Sequence, residues 1–405
     1  MIKRIKKHQQ FLTDVFLNTA SFAIYILSQQ VIFMPSMGKL LSEADFAKFI
    51  IFVSIFSILS NSLGGELGIV RQIFEHKKEA SQYNRILRYL LIAVFLISLC
   101  SVLFLGYGVV DSLLLSVVIL LANTRLYISA YFRMHKKFKF VIAQTLIFVF
   151  GMVLGLLTFR QTNFIWLPLM LAEVFAFIFG LVKSDITHSA ASETETKLNP
   201  KILKSFRDYG IVEFLVNLMT YFDKILIYPI LGAVSVNVYF ATTAMSKIVS
   251  LITNPLHGVL LSWINVENKE RNNNIIAKTL KYCIPVAAAV SLISVPLTYF
   301  AVAILYRQYL DKSLVIIVPI AIGVGLSFAS YIVKAILLKF VKSEKLLKAH
   351  VLYIVIFVLL SIAMSSILGL FGFALANAIS KAVLFIVFCQ LLAQIKNKGV
   401  YDGKK

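Results

Sequence analysis

Long apolar runs, one after another, decide what this chain can fold into. They lie near 12–34, 44–69, 87–107, 111–132, 139–160, 163–183, 209–231, 235–264, 280–305, 313–338, 349–368 and 372–394. A helix needs about 20 mostly apolar residues to cross a hydrocarbon core roughly 30 Å thick, whereas a spanning β-strand needs only about 9–11. The runs are too long for strands, so a β-barrel is excluded. With 59% hydrophobic and 15% charged residues and a mean hydropathy of +0.86, the chain is neither an ordinary soluble domain nor disordered. The expected class is an all-α integral membrane protein of about twelve transmembrane helices.

A net charge of +21 invites a nucleic-acid partner, but the placement of that charge argues against one. Taking the N-terminus as cytoplasmic, alternate connections hold 30 Lys and Arg on the inner side against 4 on the outer side, with 6 inside helices. That asymmetry follows the positive-inside rule and places both termini in the cytoplasm. The basic start followed by an apolar run resembles a signal peptide. The run is long, contains Asp14 and Asn18, and shows no small-residue cleavage site, so it is read as the first helix. Cys100, Cys283 and Cys389 sit singly in apolar segments. They have neither metal-ligand nor disulfide spacing and read as small packing residues.

Several helices carry polar residues along one stripe. Asp14, Asn18, Ser21, Tyr25 and Ser28 recur at four, three, four and three on the first helix, and Ser54, Ser57, Asn61, Gly65 and Gly68 mark the second. The seventh carries Glu213, Asn217, Thr220 and Lys224; the eighth carries Thr243, Lys247, Ser250, Asn254 and His257. Such spacing holds side chains on one face, and in a membrane that face meets either a wet cavity or another helix. Pro35 and Gly38 read as a turn closing the first helix. Residues 184–207 divide two sets of six helices: a lobe over 1–183, a cytoplasmic linker and a lobe over 208–405. A shift of 194 residues carries Asp14, Pro35, Gly38, Phe46 and Ala47 onto Asp208, Pro229, Gly232, Phe240 and Ala241. The second lobe thus begins as a copy of the first, a recurrent transporter design.

Charges inside the apolar runs are the other signal. Lys224, Lys247, Arg125 and Lys381, with Arg71 just past the end of the second run, make the interior basic, offset by Asp223, Glu66, Glu173 and Glu213. Desolvated cations attract an anionic substrate. Arg125 and Glu173 have two readings, a mutual ion pair or substrate contact. Asp223 and Lys224 are expected on different faces because adjacent helical residues diverge by about 100°. Lys224 then reads as a substrate contact or as paired with a third helix, and Asp223 as paired or as a proton or sodium site. No phosphate-binding glycine loop, nucleophile elbow, His/Cys cluster or large outer loop is present. Nothing in the chain calls for catalysis, a metal or another cofactor.

The repeated hairpin carries a resemblance. Its first copy reads Leu41-Ser-Glu-Ala-Asp-Phe46-Ala and ends in Gly64-Gly-Glu-Leu-Gly-Ile-Val-Arg71; its second reads Tyr221-Phe-Asp-Lys224-Ile-Leu-Ile, then Leu231-Gly-Ala and Tyr239-Phe-Ala. Together with the helix number and the two halves, these resemble the bacterial polysaccharide transporter family. Its Wzx-type O-antigen flippases belong with the multidrug/oligosaccharidyl-lipid/polysaccharide exporters. The resemblance implies a V-shaped pair of MATE-like lobes, with helices one, two, seven and eight facing a cavity. It also implies movement of an undecaprenyl-diphosphate-linked oligosaccharide, of O-antigen or a similar surface polysaccharide, from the inner to the outer leaflet of a bacterial cytoplasmic membrane. The implied partners are that lipid-linked substrate, membrane lipid and other polysaccharide-assembly membrane proteins. Two rival readings stand beside it: an ion-coupled multidrug antiporter on the same fold, and a membrane polymerase or glycosyltransferase. The first would favour lone carboxylates in the lumen, and the second a long outer loop.

Overall fold

The computed structural model describes residues 2–74, 80–184, 200–263, 269–341 and 343–398. Among these residues the chain is helical with no strand: α1 (Ile2–Leu27), α2 (Met34–Leu40), α3 (Glu43–Leu59), α4 (Glu66–Phe74), α5 (Ala80–Phe104), α6 (Val109–Met134), α7 (Phe138–Thr162), α8 (Leu167–Lys183), α9 (Pro200–Trp263), α10 (Lys269–Leu305), α11 (Leu310–Phe340) and α12 (Ser343–Lys398). A single wide π-helical turn, Ser28–Phe33, joins α1 to α2, and another, Ser60–Gly65, joins α3 to α4. Of the linker expected at 184–207, residues 185–199 lie outside the described part, and 200–207 already form the first turns of α9.

Nine stretches among the described residues are long and apolar enough to cross a membrane. α8, at 17 residues, is a further apolar helix. The chain is a multi-pass membrane protein. Its outer shell agrees, since Phe104, Leu292, Ile304 and Ile367 are exposed where lipid rather than water is the solvent. Two of the nine stretches run 48 and 52 residues, too long for one crossing, and both fold back at a glycine. Gly232 has φ 77° and Gly369 φ 57°, values that a Cβ would oppose. The reversal shows in the contacts. Lys224 lies 5.8 Å from the ring centre of Tyr239, although the fifteen intervening steps of a straight helix span about 22 Å. The rings of Phe357 and Phe373 likewise meet edge to face at 5.6 Å across Gly369.

The expected turn at Pro35 and Gly38 is not where the first helix ends. α2 runs through both to Leu40. Proline removes one backbone donor, and the π-helical turn just before it is the kind of local widening that absorbs such a defect. The break falls at Leu41 and Ser42 instead. There the Ser42 hydroxyl accepts a hydrogen bond from the Asp45 amide (3.1 Å) and donates to its carboxylate (2.7 Å), starting α3; serine is a preferred helix cap.

By their internal contacts the residues form two compact units, Met1–Met37 with Ile51–Phe222, and Gly38–Ile50 with Asp223–Lys405. In the first, α6 packs on α4, α5 and α8, and α7 packs along α1 and α8. α4 and its preceding π turn approach α6 through small residues. A Cβ on Gly64 would collide with the Asn123 backbone and one on Gly68 with Ala130, while the Gly64 amide donates to Asn123 Oδ1 at 2.7 Å. In the second unit, α10, α11 and α12 pack together, and repeat-related positions touch one another. The Asn237 side-chain amide donates to the Glu43 carbonyl oxygen 194 residues away, at 2.9 Å. Phe46 and Phe240, offset by the same shift, meet edge to face at 6.1 Å.

Candidate functional site

In the first unit the buried charges largely consume one another. Arg125 binds Glu173 through two parallel hydrogen bonds of 2.7 and 3.0 Å, with the carboxylate side chain wholly buried. The guanidinium lies 4.9 Å from the Phe148 ring centre and 5.6 Å from that of Tyr25. A bidentate pair flanked by aromatic faces satisfies both ions without a substrate, which is the structural one of the two readings open from sequence. Tyr25 therefore packs within this cluster, taking a hydrogen bond from Gln29 at 3.1 Å. One turn earlier, Ser21 bonds Thr145 of α7 at 2.6 Å. Asp14 and Asn18 are half-buried on the same helix, and Asn61 is half-buried in the π-helical turn.

Arg71 is buried in a polar aromatic cage. It donates to the Tyr127 hydroxyl (2.7 Å) and to Asn84 Oδ1 (3.3 Å), and its guanidinium carbon stands 5.3 Å from the Tyr131 ring centre. Glu66, only 5% exposed, begins α4, and Glu213 of α9 is a like charge within its electrostatic reach. Glu213 accepts a hydrogen bond from Asn217 at 3.2 Å. The two carboxylates are thus within each other's field, a relation that a separation of 147 positions conceals in the sequence.

The second unit collects the lysines. Asp223 and Lys224 do not diverge. The Lys224 side chain folds back so that Nζ sits 2.7 Å from Asp223 Oδ1 and 2.9 Å from Oδ2, both side chains under 10% exposed. A four-carbon stem spans the angular step between neighbours, and with little water nearby the ammonium takes the closest anion. Tyr239 makes a side-chain hydrogen bond to Asp223, and Tyr353 of α12 lies within its field. Lys247 stands 5.7 Å from the Phe240 ring centre and, like Lys381, is electrostatically coupled to both Asp223 and Lys224. Lys381 and Asn377 face Gly323 of α11, where a Cβ would lie 3.5 Å from Nζ and 3.7 Å from the amide oxygen. One carboxylate and three lysines therefore share one neighbourhood, Asp223 and Lys224 buried and Lys247 and Lys381 half-buried, with formal charge in excess on the cationic side. Tyr353 has no signal in the sequence beyond its place in an apolar run, and Tyr239 is marked there only as part of the repeated hairpin. The side chains of Asn254 and His257 lie outside the described part.

No family model matches this chain, and no curated protein matches it in sequence. Solved structures do match. An outward-facing multidrug resistance MATE family transporter of the MOP superfamily superposes with a TM-score of 0.66 at 14% identity, covering 95% of this chain and 96% of the other. A MATE in the bent conformation gives 0.65 at 13% identity, covering 95% of each. The lipid II flippase MurJ, in an inward closed conformation, gives 0.63 at 13% identity, covering 95% of this chain and 90% of that one. The chain has the MATE and MurJ fold. The all-helical class and that likeness are as the sequence leads one to expect.

Proposed function

We propose that this protein is a transporter of the multidrug/oligosaccharidyl-lipid/polysaccharide exporter superfamily whose cargo is an undecaprenyl-diphosphate-linked oligosaccharide. It moves the repeat unit of O-antigen or a similar surface polysaccharide from the cytoplasmic to the outer leaflet of a bacterial cytoplasmic membrane. The observation that carries this reading is the cluster of Lys224, Lys247 and Lys381 around the single carboxylate of Asp223. Cations kept within membrane-spanning helices are retained at a cost and mark substrate paths, and an excess of them selects an anion such as a diphosphate. Fold supports the reading as well, since a lipid flippase and multidrug transporters share it. On this account the protein transports without catalysis. Alternating access is its mechanism, and other polysaccharide-assembly proteins supply and receive the cargo.

Ion-coupled export of cationic drugs is the second reading, favoured by Glu66, buried within the field of Glu213. That pair is also the place for proton or sodium coupling if the cargo is the glycolipid. Deleting the gene and following surface glycan and lipid-linked intermediates separates the two. Flipping predicts loss of surface glycan with completed repeat units held on the cytoplasmic leaflet. Normal glycan together with heightened drug sensitivity would replace the first reading by the second.

A further inference from the structure

His350 of α12 is only 5% exposed, and neither of its ring nitrogens finds a hydrogen-bond partner among the described residues. An imidazole shut away from water needs an acceptor for its N–H and a donor for its bare nitrogen. The protein gives it instead the ring of Phe388, edge to face at 5.6 Å. Lys334 of α11 lies within electrostatic reach of the imidazole. One turn earlier on the same face of α11, Ser330 is buried and its hydroxyl is also without a partner. α11 and α12 pack along one another, so a cation, an unmatched hydroxyl and an unmatched imidazole lie along one seam.

Depth narrows what can fill that seam. α11 has 31 residues. It is therefore about 46 Å long against a hydrocarbon core of about 30 Å, and overhangs by about 8 Å at each side. Lys334 stands six positions before the end of α11 at Phe340, and His350 seven after the start of α12 at Ser343. Each is thus about 10 Å along its helix from the connection between them, where acyl chains give way to phosphates. The distribution of Lys and Arg assigns that end to the cytoplasm. Lys334 is half-buried, and Leu338, one turn further on, is among the exposed apolar residues, so the seam borders lipid.

We propose that Ser330, Lys334 and His350 form a headgroup site for an anionic, hydroxyl-bearing phospholipid of the cytoplasmic leaflet, of which phosphatidylglycerol is the simplest case. Its phosphate oxygens accept from the His350 N–H and the Ser330 hydroxyl beside the Lys334 charge, and a headgroup hydroxyl donates to the bare imidazole nitrogen. A choline headgroup has no hydroxyl to give and brings a second cation towards Lys334. None of the three residues belongs to the lysine cluster around Asp223, and the inference stands whatever the cargo.

The test is native mass spectrometry of the full chain in detergent, titrated with dioleoyl-phosphatidylglycerol or dioleoyl-phosphatidylcholine, with inorganic phosphate as competitor. Wild-type protein should bind the glycerol lipid roughly tenfold more tightly than the choline lipid. His350→Phe, which keeps an aromatic ring against Phe388, and Ser330→Ala should each weaken binding of the glycerol lipid by about threefold to tenfold and leave the choline lipid unchanged. Thermal unfolding gives a second readout: phosphatidylglycerol should raise the melting temperature of the wild type more than that of either variant. Should His350→Phe fail to fold, Ser330→Ala alone decides. Equal affinity of the wild type for both lipids overturns the inference, as does wild-type binding of phosphatidylglycerol in the folded variants. Displacement of the lipid by millimolar inorganic phosphate would assign the seam to a free anion and overturn it too.

Discussion

Neighbouring residues on an ideal helix diverge by about 100°, and at Asp223 and Lys224 that rule fails for a chemical reason. Flexible lysine stems let an ammonium return to an anion on the neighbouring residue, and here it does so at 2.7 Å. Arg125 and Glu173 obey the complementary rule, two ions from different helices meeting in a fork of 2.7 and 3.0 Å. Removing one member of such a buried pair leaves an uncompensated charge. Glu173→Ala should therefore lower stability by about 3–5 kcal/mol, whereas replacing both with apolar residues of like volume should cost far less. Thermal unfolding in detergent measures the difference; equal loss in single and double variants would show that the pair is not the source of the cost. Which residues are charged inside the membrane was legible in the sequence. Who meets whom was legible only in part: Arg125–Glu173 stood as one of two readings, whereas the approach of Glu66 to Glu213 is set by how α4 and α9 pack.

At the scale of elements, apolar run length and turn chemistry carried most of the information. The hydropathy reading separates runs at 231–235 and 368–372, and the structure turns back at Gly232 and Gly369. It misplaces the end of the first helix, since Pro35 sits just after a π-helical turn that no residue pattern announces. Two position pairs separated by the 194-residue shift touch one another, Glu43 with Asn237 and Phe46 with Phe240. Packing of distant helices remained invisible. Cys283 of α10 and Cys389 of α12 look solitary in sequence, yet their sulfurs lie 3.9 Å apart. Copper-phenanthroline oxidation should join them into a disulfide that ties the two helices together, detected as a peptide cross-link by mass spectrometry. Absence of that cross-link while Cys100 is oxidised would contradict the packing of α10 on α12. Close approach at Gly64 gives a second expectation. Gly64→Leu must push α6 away from α4, a clash of the kind that costs about 1–3 kcal/mol or more, so it should lower the yield of folded protein where Gly65→Ala does not.

For the molecule as a whole, the widest-reaching expectation from sequence is an inner-side excess of Lys and Arg, 30 against 4 in alternate connections. Positive charge is retained on the cytoplasmic side during insertion, so cysteines introduced near either terminus should react with a membrane-impermeant maleimide only after the cells are opened. Labelling of one terminus in intact cells would give an odd number of crossings and break the repeat. The fold shared with MATE and MurJ structures does not by itself choose a cargo; the proposed anionic cargo rests on the lysines of the second unit. Translocation in proteoliposomes tests that choice most directly, using a fluorescent glycolipid with a diphosphate bridge and the same molecule with a neutral bridge. Wild-type protein should carry the diphosphate form across the bilayer and leave the neutral form behind. Lys224→Ala and Lys247→Ala, each remaining folded, should slow transport by about tenfold or more, the loss expected for one charge-assisted contact. Equal transport of both glycolipids, or wild-type rates in both variants, would contradict an anion-selecting path.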